Sequence, residues 1–259
     1  MYVTILGHIL AIGIGISLGL MGGGGSILAV PILVYVMGID SSRAVAMSLF
    51  IVGSVSLLGV IPYARQALVK WRVVAEFTPA AMIGAYLGTQ LLKFPWITET
   101  VQLASFGIVM LIASGLMIRK GIEHPQQASL SSPSKRVLQW FPLWLMSALQ
   151  GFGVGIITGF VGVGGGFLII PALVLLNHMP IKMAVGTSLS IITLNSAAGL
   201  LGYLNQVSID WKLTLSFTLA AGLGTVLGSW LSQFVEASQL QKGFGYFVLA
   251  IAIFVLVQR

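Results

Sequence analysis

The chain reads as an all-α integral membrane protein made of two tandem homologous repeats, each with about four apolar segments. Three observations carry that expectation. Of 259 residues, 57% are hydrophobic and 7% charged, and the mean hydropathy is +1.02. A soluble domain carries about 25% charged residues. Shifted by 140 positions, residues 13–94 match 153–234 without a gap, with 30 identities in 82 positions. Glycine reaches 32 residues, a density that membrane helices use for close backbone approach. These features exclude a soluble enzyme, a nucleic-acid binder and a disordered chain. The net charge of +7 comes from 13 Lys and Arg against 6 Asp and Glu. With the basic residues in loops, it reads as topology and anionic headgroups. Cysteine is absent, which removes disulfides, thiolate metal sites and a Cys nucleophile.

In chain order, the start at Met1–His8 has no basic stretch and leads into repeated sequence, so it reads as mature protein and not as a cleaved signal. The first repeat spans 1–120, with apolar segments near 3–37, 44–63, 73–92 and 101–118. Residues 121–136 are the polar, Pro/Ser-rich stretch and read as an aqueous linker loop. The second repeat spans 137–259, with apolar segments near 140–177, 184–204, 213–231 and 243–257. Most are close to the ~20 residues that cross a bilayer core. The first segment of each repeat is too long for one crossing and is interrupted at its middle. The interruptions are Gly22-Gly23-Gly24-Gly25-Ser26 and Gly162-Val163-Gly164-Gly165-Gly166, which are poor helix interiors. Each is either a broken single crossing, which makes the repeats parallel, or a re-entrant hairpin, which makes them inverted. Lys and Arg divide nine against four under both schemes, so the positive-inside rule does not choose between them. Both put the linker, with Arg119, Lys120, Lys135 and Arg136 about it, on the cytoplasmic side. Segment length favours the hairpin.

Backbone freed from helical hydrogen bonding does not survive facing lipid and needs protein or a wet cavity around it. Half-helix N-termini present unpaired N–H groups to an anion, and glycine leaves the approach open. The two interruptions therefore suggest one substrate site built from Gly22, Gly23, Gly24, Gly25 and Ser26 with Gly162, Gly164, Gly165 and Gly166. The spaced pairs Gly15/Gly19, Gly155/Gly159, Gly84/Gly88 and Gly224/Gly228 read as packing glycines. No Lys-Ser or Lys-Thr follows either run, and no βαβ pattern surrounds them, so neither is a P-loop or a dinucleotide fingerprint.

The doubled Gly-x-Gly-Gly, apolar run and Pro (Pro31, Pro171), followed by Ala184-Val185-Gly186-Thr187-Ser188-Leu189, resembles the sulfite exporter TauE/SafE family over nearly the whole chain. The resemblance implies a multi-pass transporter of the bacterial inner membrane, moving small sulfur-containing anions such as sulfite or sulfonates, with no cofactor. The first repeat departs from the pattern, with Ala46-Met47 where the second has Gly186-Thr187 and Ser26 where it has Gly166. The site is therefore expected to be asymmetric.

Further candidates are polar residues in apolar surroundings. Ser48 and Thr187-Ser188 sit near helix starts. They either donate to an anion or bond back to the helix backbone. Asn195 needs a partner inside the bilayer, and its match in the first repeat is Val55. Arg43 and Lys182 can attract an anion to the mouth, although snorkelling to headgroups explains them more simply. Glu76 reads as interfacial or as a proton-coupling carboxylate. His8 and His178 are lone histidines with no partner visible in the sequence; they read as interfacial or packed, with pH sensing as the alternative. Tyr63 and Tyr203 read as interface anchors.

The expected function is export of a small anion by alternating access around a midplane site, with an anion channel or a non-transporting assembly factor as alternatives. An intramembrane enzyme needs clustered acid/base or metal groups, and the six carboxylates and three histidines are not clustered in sequence. Expected partners are the anion, the bilayer and, through the GxxxG faces, a second copy in a homodimer. No nucleic acid or metal is expected. An anion leaving a negative interior gains about 2.3 kcal/mol per 100 mV, so outward movement needs no driving ion.

Overall fold

The computed structural model describes residues 2–91, 99–122, 143–161, 166–177, 179–203 and 207–257. Among the described residues it is all helical, with ten α-helices. These are α1 (Tyr2–Met21), α2 (Ser26–Pro31), α3 (Ser41–Arg65), α4 (Trp71–Leu91), α5 (Glu99–Ile122), α6 (Leu143–Val161), α7 (Gly166–Pro171), α8 (Ile181–Tyr203), α9 (Trp211–Leu231) and α10 (Ala237–Val257). Three of them, over Ser42–Arg65, Ile181–Leu201 and Trp211–Leu231, are long and apolar enough to cross a membrane. Large apolar side chains also cover the outside, among them Leu219 at 72% and Leu223 at 67% exposed. In water such a surface would aggregate; in lipid it is the solvated face.

Local chemistry sets the breaks. Pro31 and Pro171 have no N–H to give the helix. After each, the chain winds wider over Ile32–Val36 and Ala172–Leu176, with Met37 N–H donating to the Ile32 carbonyl at 3.1 Å and Asn177 N–H to Ala172 at 3.4 Å. Gly38, at φ +69, ends the first of these segments, and its N–H donates to the Val34 carbonyl. Asp40 then caps α3 by accepting from Ser42 N–H at 3.2 Å, and Asp210 caps α9 by accepting from Leu213 N–H at 3.1 Å.

Assembly follows the glycines. α1 lies on α9 and α4 on α6, at backbone distance. A Cβ on Gly15 or Gly19 would strike the carbonyl of Ala221 or Thr225; one on Gly155 or Gly159 would strike that of Ala81 or Ala85. Gly84, Gly224 and Gly228 meet the carbonyls of Phe152, Ile12 and Ile16 in the same way. Gly15/Gly19, Gly155/Gly159, Gly224/Gly228 and Gly84 are thus packing residues, as their spacing predicts. Thr225 adds a bond across the first pair, donating to the Gly15 carbonyl at 2.9 Å. α3 crosses α8 at the centre, where Gly53 faces Ser196, and α5 lies along α10. After Gly22–Gly25 the chain turns back along α1, so that Met37 comes to rest against Gly7. The core between these layers holds Leu18, Leu33, Met47, Phe77, Ile170, Leu173, Phe217 and Phe244.

Candidate functional site: the buried glycine turn and the cavity beside α8

All four residues of the first glycine run, Gly22–Gly25, are buried, against the first turns of α8. Gly22 has φ +67, and a Cβ there would come within 2.9 Å of the Val185 backbone. Only glycine fits that turn against α8. Gly22 N–H still closes α1 by donating to the Leu18 carbonyl, and Ser26 N–H donates to Gly23. The N–H groups of Gly23, Gly24 and Gly25 have no hydrogen-bond partner among the described residues. A run of uncommitted amides on a turn is an anion-binding arrangement. Ser17 Oγ, close to Gly24, is also buried and unpartnered. The Phe247 ring of α10 closes over Gly24, 2.7 Å from where a Cβ would stand. Ser26 lies against Gly166, which brings the starts of α2 and α7 together. Of the second run, Gly162, Gly164 and Gly165 lie outside the described residues, as do His178 and the linker 123–136.

The serine hydroxyls expected near the site face carbonyls, and that of Thr187 meets a backbone N–H. Ser188 Oγ, fully buried, lies 2.9 Å from the carbonyls of both Gly22 and Val185 and donates its single proton there. Ser48 Oγ donates to Val45 at 2.8 Å, a bond back onto its own helix, and Ser26 Oγ donates to Gly23 at 2.7 Å. Thr187 Oγ1 accepts from Lys70 N–H at 3.1 Å, tying the α3–α4 connection to α8. These side chains hold the turn and its surroundings in place, which leaves the glycine amides as donors for a ligand.

Asn195 is elsewhere. It lines a cavity of about 460 Å³ with Ser196, Thr158, Tyr86, Met82 and Tyr203, between α4, α6 and α8. Its Oδ1 is buried without a partner. Arg43 borders a second cleft, of about 490 Å³, together with Asp40 and Asp210. One guanidinium faces two carboxylates there, so the local charge does not favour an anion. Lys182 Nζ reaches the Gln233 carbonyl at 3.5 Å at the opposite end of the bundle.

Two sequence readings change, those of His8 and Tyr63. His8 is not a lone histidine: its Nε2 lies 3.0 Å from Ser216 Oγ, and its ring tilts against Phe217 at 4.8 Å. Glu76 pairs with Arg72 one turn earlier, at 2.8 Å. Tyr63 is no interface anchor. It is 4% exposed, and its hydroxyl donates to the Gly19 carbonyl or Ser232 Oγ, at 3.0 and 2.8 Å. Sequence reasoning missed Ser17 and Thr158, which the structure places beside Gly24 and in the Asn195 cavity.

A bundle with an apolar, lipid-suited exterior, a buried glycine turn and a cavity between its helices is a polytopic membrane protein of the transporter class. The chain belongs to the sulfite exporter TauE/SafE family, which it matches over residues 8–255. It is 31% identical over 246 residues to a probable membrane transporter protein of Xylella fastidiosa, covering 94% of this chain and 91% of that one. It is 26% identical to the probable membrane transporter protein YunE of Bacillus subtilis, covering 85% of each chain. No solved structure matches it. The protein is a membrane transporter of this family.

Proposed function

We propose that the protein exports small sulfur-containing anions, sulfite or sulfonates, across the bacterial inner membrane by alternating access around the paired glycine runs. The observation that carries this reading is the trio of uncommitted amides, Gly23 to Gly25, buried beside the unpartnered Ser17 hydroxyl. Buried amides without partners are costly, and an anion resting on them satisfies their hydrogen-bonding need. The family's description as sulfite exporters supports the substrate class and the direction. Phe247 over Gly24 supports a gated site, because its ring covers the approach to the Gly24 amide.

The repeats are inverted in this proposal. The return of Met37 to Gly7 supports a hairpin, which leaves three crossings (α3, α4 and α5) in the first repeat. The hairpin scheme places Arg65, Lys70, Arg72, Lys182, Lys242 and the linker's basic residues on one side, taken as the cytoplasm. In proteoliposomes, sulfite efflux by the wild type should be saturable and show counterflow, which a channel would not. Gly24→Ala puts a methyl against Phe247 and should lower that flux at least tenfold in a protein that still folds. Full flux in folded Gly24→Ala would remove the turn from the mechanism. Absence of flux in the wild type for every sulfur anion tried would remove the substrate assignment.

A further inference from the structure

We propose that Tyr63 and Tyr203 are the two gate latches of the transport cycle and that they close in turn, the structure holding the Tyr63 latch shut and the Tyr203 latch open. This rests on the transporter reading above and names what holds its two states.

Tyr63 lies near the end of α3. Its hydroxyl reaches the Gly19 carbonyl of α1 at 3.0 Å and Ser232 Oγ, just past α9, at 2.8 Å. Gly19 is in the last turn of α1, where a helix leaves its carbonyls without an N–H from a following turn. One phenol thus ties three helix ends together beside the buried glycine turn. The tie is reinforced from α8. A Cβ on Gly186 would strike the Leu68 carbonyl and the Tyr63 side chain, and Thr187 Oγ1 accepts from Lys70 N–H at 3.1 Å.

At the offset of 140 positions the same parts recur with the opposite fate. Tyr203 matches Tyr63, and Gly159, in the last turn of α6, matches Gly19. Both line the chamber of about 460 Å³ that also holds Asn195. The Tyr203 hydroxyl has no hydrogen-bond partner among the described residues. Leu68, Lys70 and Thr187 match Ser208, Asp210 and Met47, and those three line the cleft of about 490 Å³. The residues that close one end therefore have their counterparts on the walls of openings. In the opposite state the Tyr203 hydroxyl closes the chamber onto the Gly159 carbonyl, and Tyr63 lets go of Gly19. The two latches are not equal. Met47 cannot make the bond of Thr187, and Ala46 stands where Gly186 allows close approach. The second latch rests on Tyr203 alone, so the balance favours the state seen here.

The chain has no cysteine, so a single introduced thiol reports on each side. Val55, fully buried on the latched side, matches Asn195 in the chamber wall. Val55→Cys and Asn195→Cys are made singly in the full-length protein, reconstituted in proteoliposomes and treated with a small charged methanethiosulfonate, which reaches a thiol only through water. With both tyrosines intact, Asn195→Cys should react fast and Val55→Cys slowly. Adding Tyr63→Phe, which removes the hydroxyl and keeps the ring, should speed Val55→Cys and slow Asn195→Cys, each about tenfold. Adding Tyr203→Phe should slow Val55→Cys about threefold further, because the state that exposes it loses its latch. A purely structural tyrosine predicts no such change from a hydroxyl that bonds nothing here, and this arm stands even where Tyr63→Phe fails to fold. The paired latches are overturned by a Val55→Cys rate indifferent to Tyr203→Phe, by a Tyr203→Phe variant that does not fold, or by Tyr63→Phe raising both rates together. Saturable sulfite flux in the wild type would then leave the exporter reading standing. Rates that follow both tyrosines, with no flux of any sulfur anion, would keep the latches and overturn the exporter reading.

Discussion

Ser188 shows how a hydroxyl inside a membrane helix is committed. A positive-φ turn at Gly22 points a carbonyl away from its helix, and the buried Ser188 hydroxyl meets it at 2.9 Å. Ser188→Ala leaves that carbonyl buried and unpaired, at a cost of about 1–3 kcal/mol. The variant should melt measurably lower in detergent than the wild type, and an unchanged melting curve would show that the bond contributes nothing. The glycine was legible in the sequence because four in succession cannot continue a helix. Its partner was not, because Ser188 lies 166 residues away and only packing brings the two together. The same distance in sequence hid the Ser216 partner of His8. Tyr63 was misread for a related reason. A tyrosine near a helix end is an interface anchor unless a neighbouring helix covers it, and here Gly19 and Ser232 do.

At the scale of helices, the glycine spacing decides which faces meet. Gly153 and Gly155 are both in α6, two positions apart, yet their surroundings are opposite. A Cβ at Gly153 meets nothing within 4 Å, whereas at Gly155 it meets the Ala81 carbonyl of α4. Gly153→Ala should therefore be neutral or stabilising by up to about 1 kcal/mol, from helix propensity alone. Gly155→Ala should destabilise by about 1–3 kcal/mol, because α4 must move away. Thermal melts of the two variants side by side check this, and equal effects would sink the packing account. The sequence made this pairing surface visible through its Gly-x-x-x-Gly spacing. It did not reveal that α6 chooses α4 and α1 chooses α9, because a small-residue face specifies closeness and not the partner. The Asn195 cavity was half visible. A buried Asn announces a partner or a cavity, but Thr158 and Ser196 look like ordinary helix hydroxyls until α4, α6 and α8 are brought together.

For the whole molecule, the choice between parallel and inverted repeats turns on a pair of loops. Composition and basic-residue counts left both open, because each scheme divides Lys and Arg equally well. The structure sets Gly38–Arg43 and Ser208–Asp210 around one cleft, so the start of α3 and the start of α9 share an end of the bundle. The α3–α4 connection lies at the other end, where Lys70 meets Thr187 near the start of α8. Under parallel repeats, the 38–43 and 205–210 loops would open on opposite sides of the membrane. The absence of native cysteine makes a direct measurement clean. Single cysteines replacing the exposed Ser42, Ser208 and Gln66 can be probed in intact cells with a membrane-impermeant maleimide. Ser42→Cys and Ser208→Cys should both label from outside, and Gln66→Cys only after the membrane is opened. Labelling of Ser42→Cys from outside with Ser208→Cys protected would establish parallel repeats and dissolve the inverted pair of hairpins. The paired result fixes the side on which the Asn195 chamber opens. Tyr203, at the end of α8 nearest the Ser208 loop, lines that chamber, while Tyr63 seals the matching place at the opposite end. Under the inverted repeats proposed above, a cavity at Tyr203 and a latched Tyr63 at the matching place are the asymmetry that the proposed alternating access calls for.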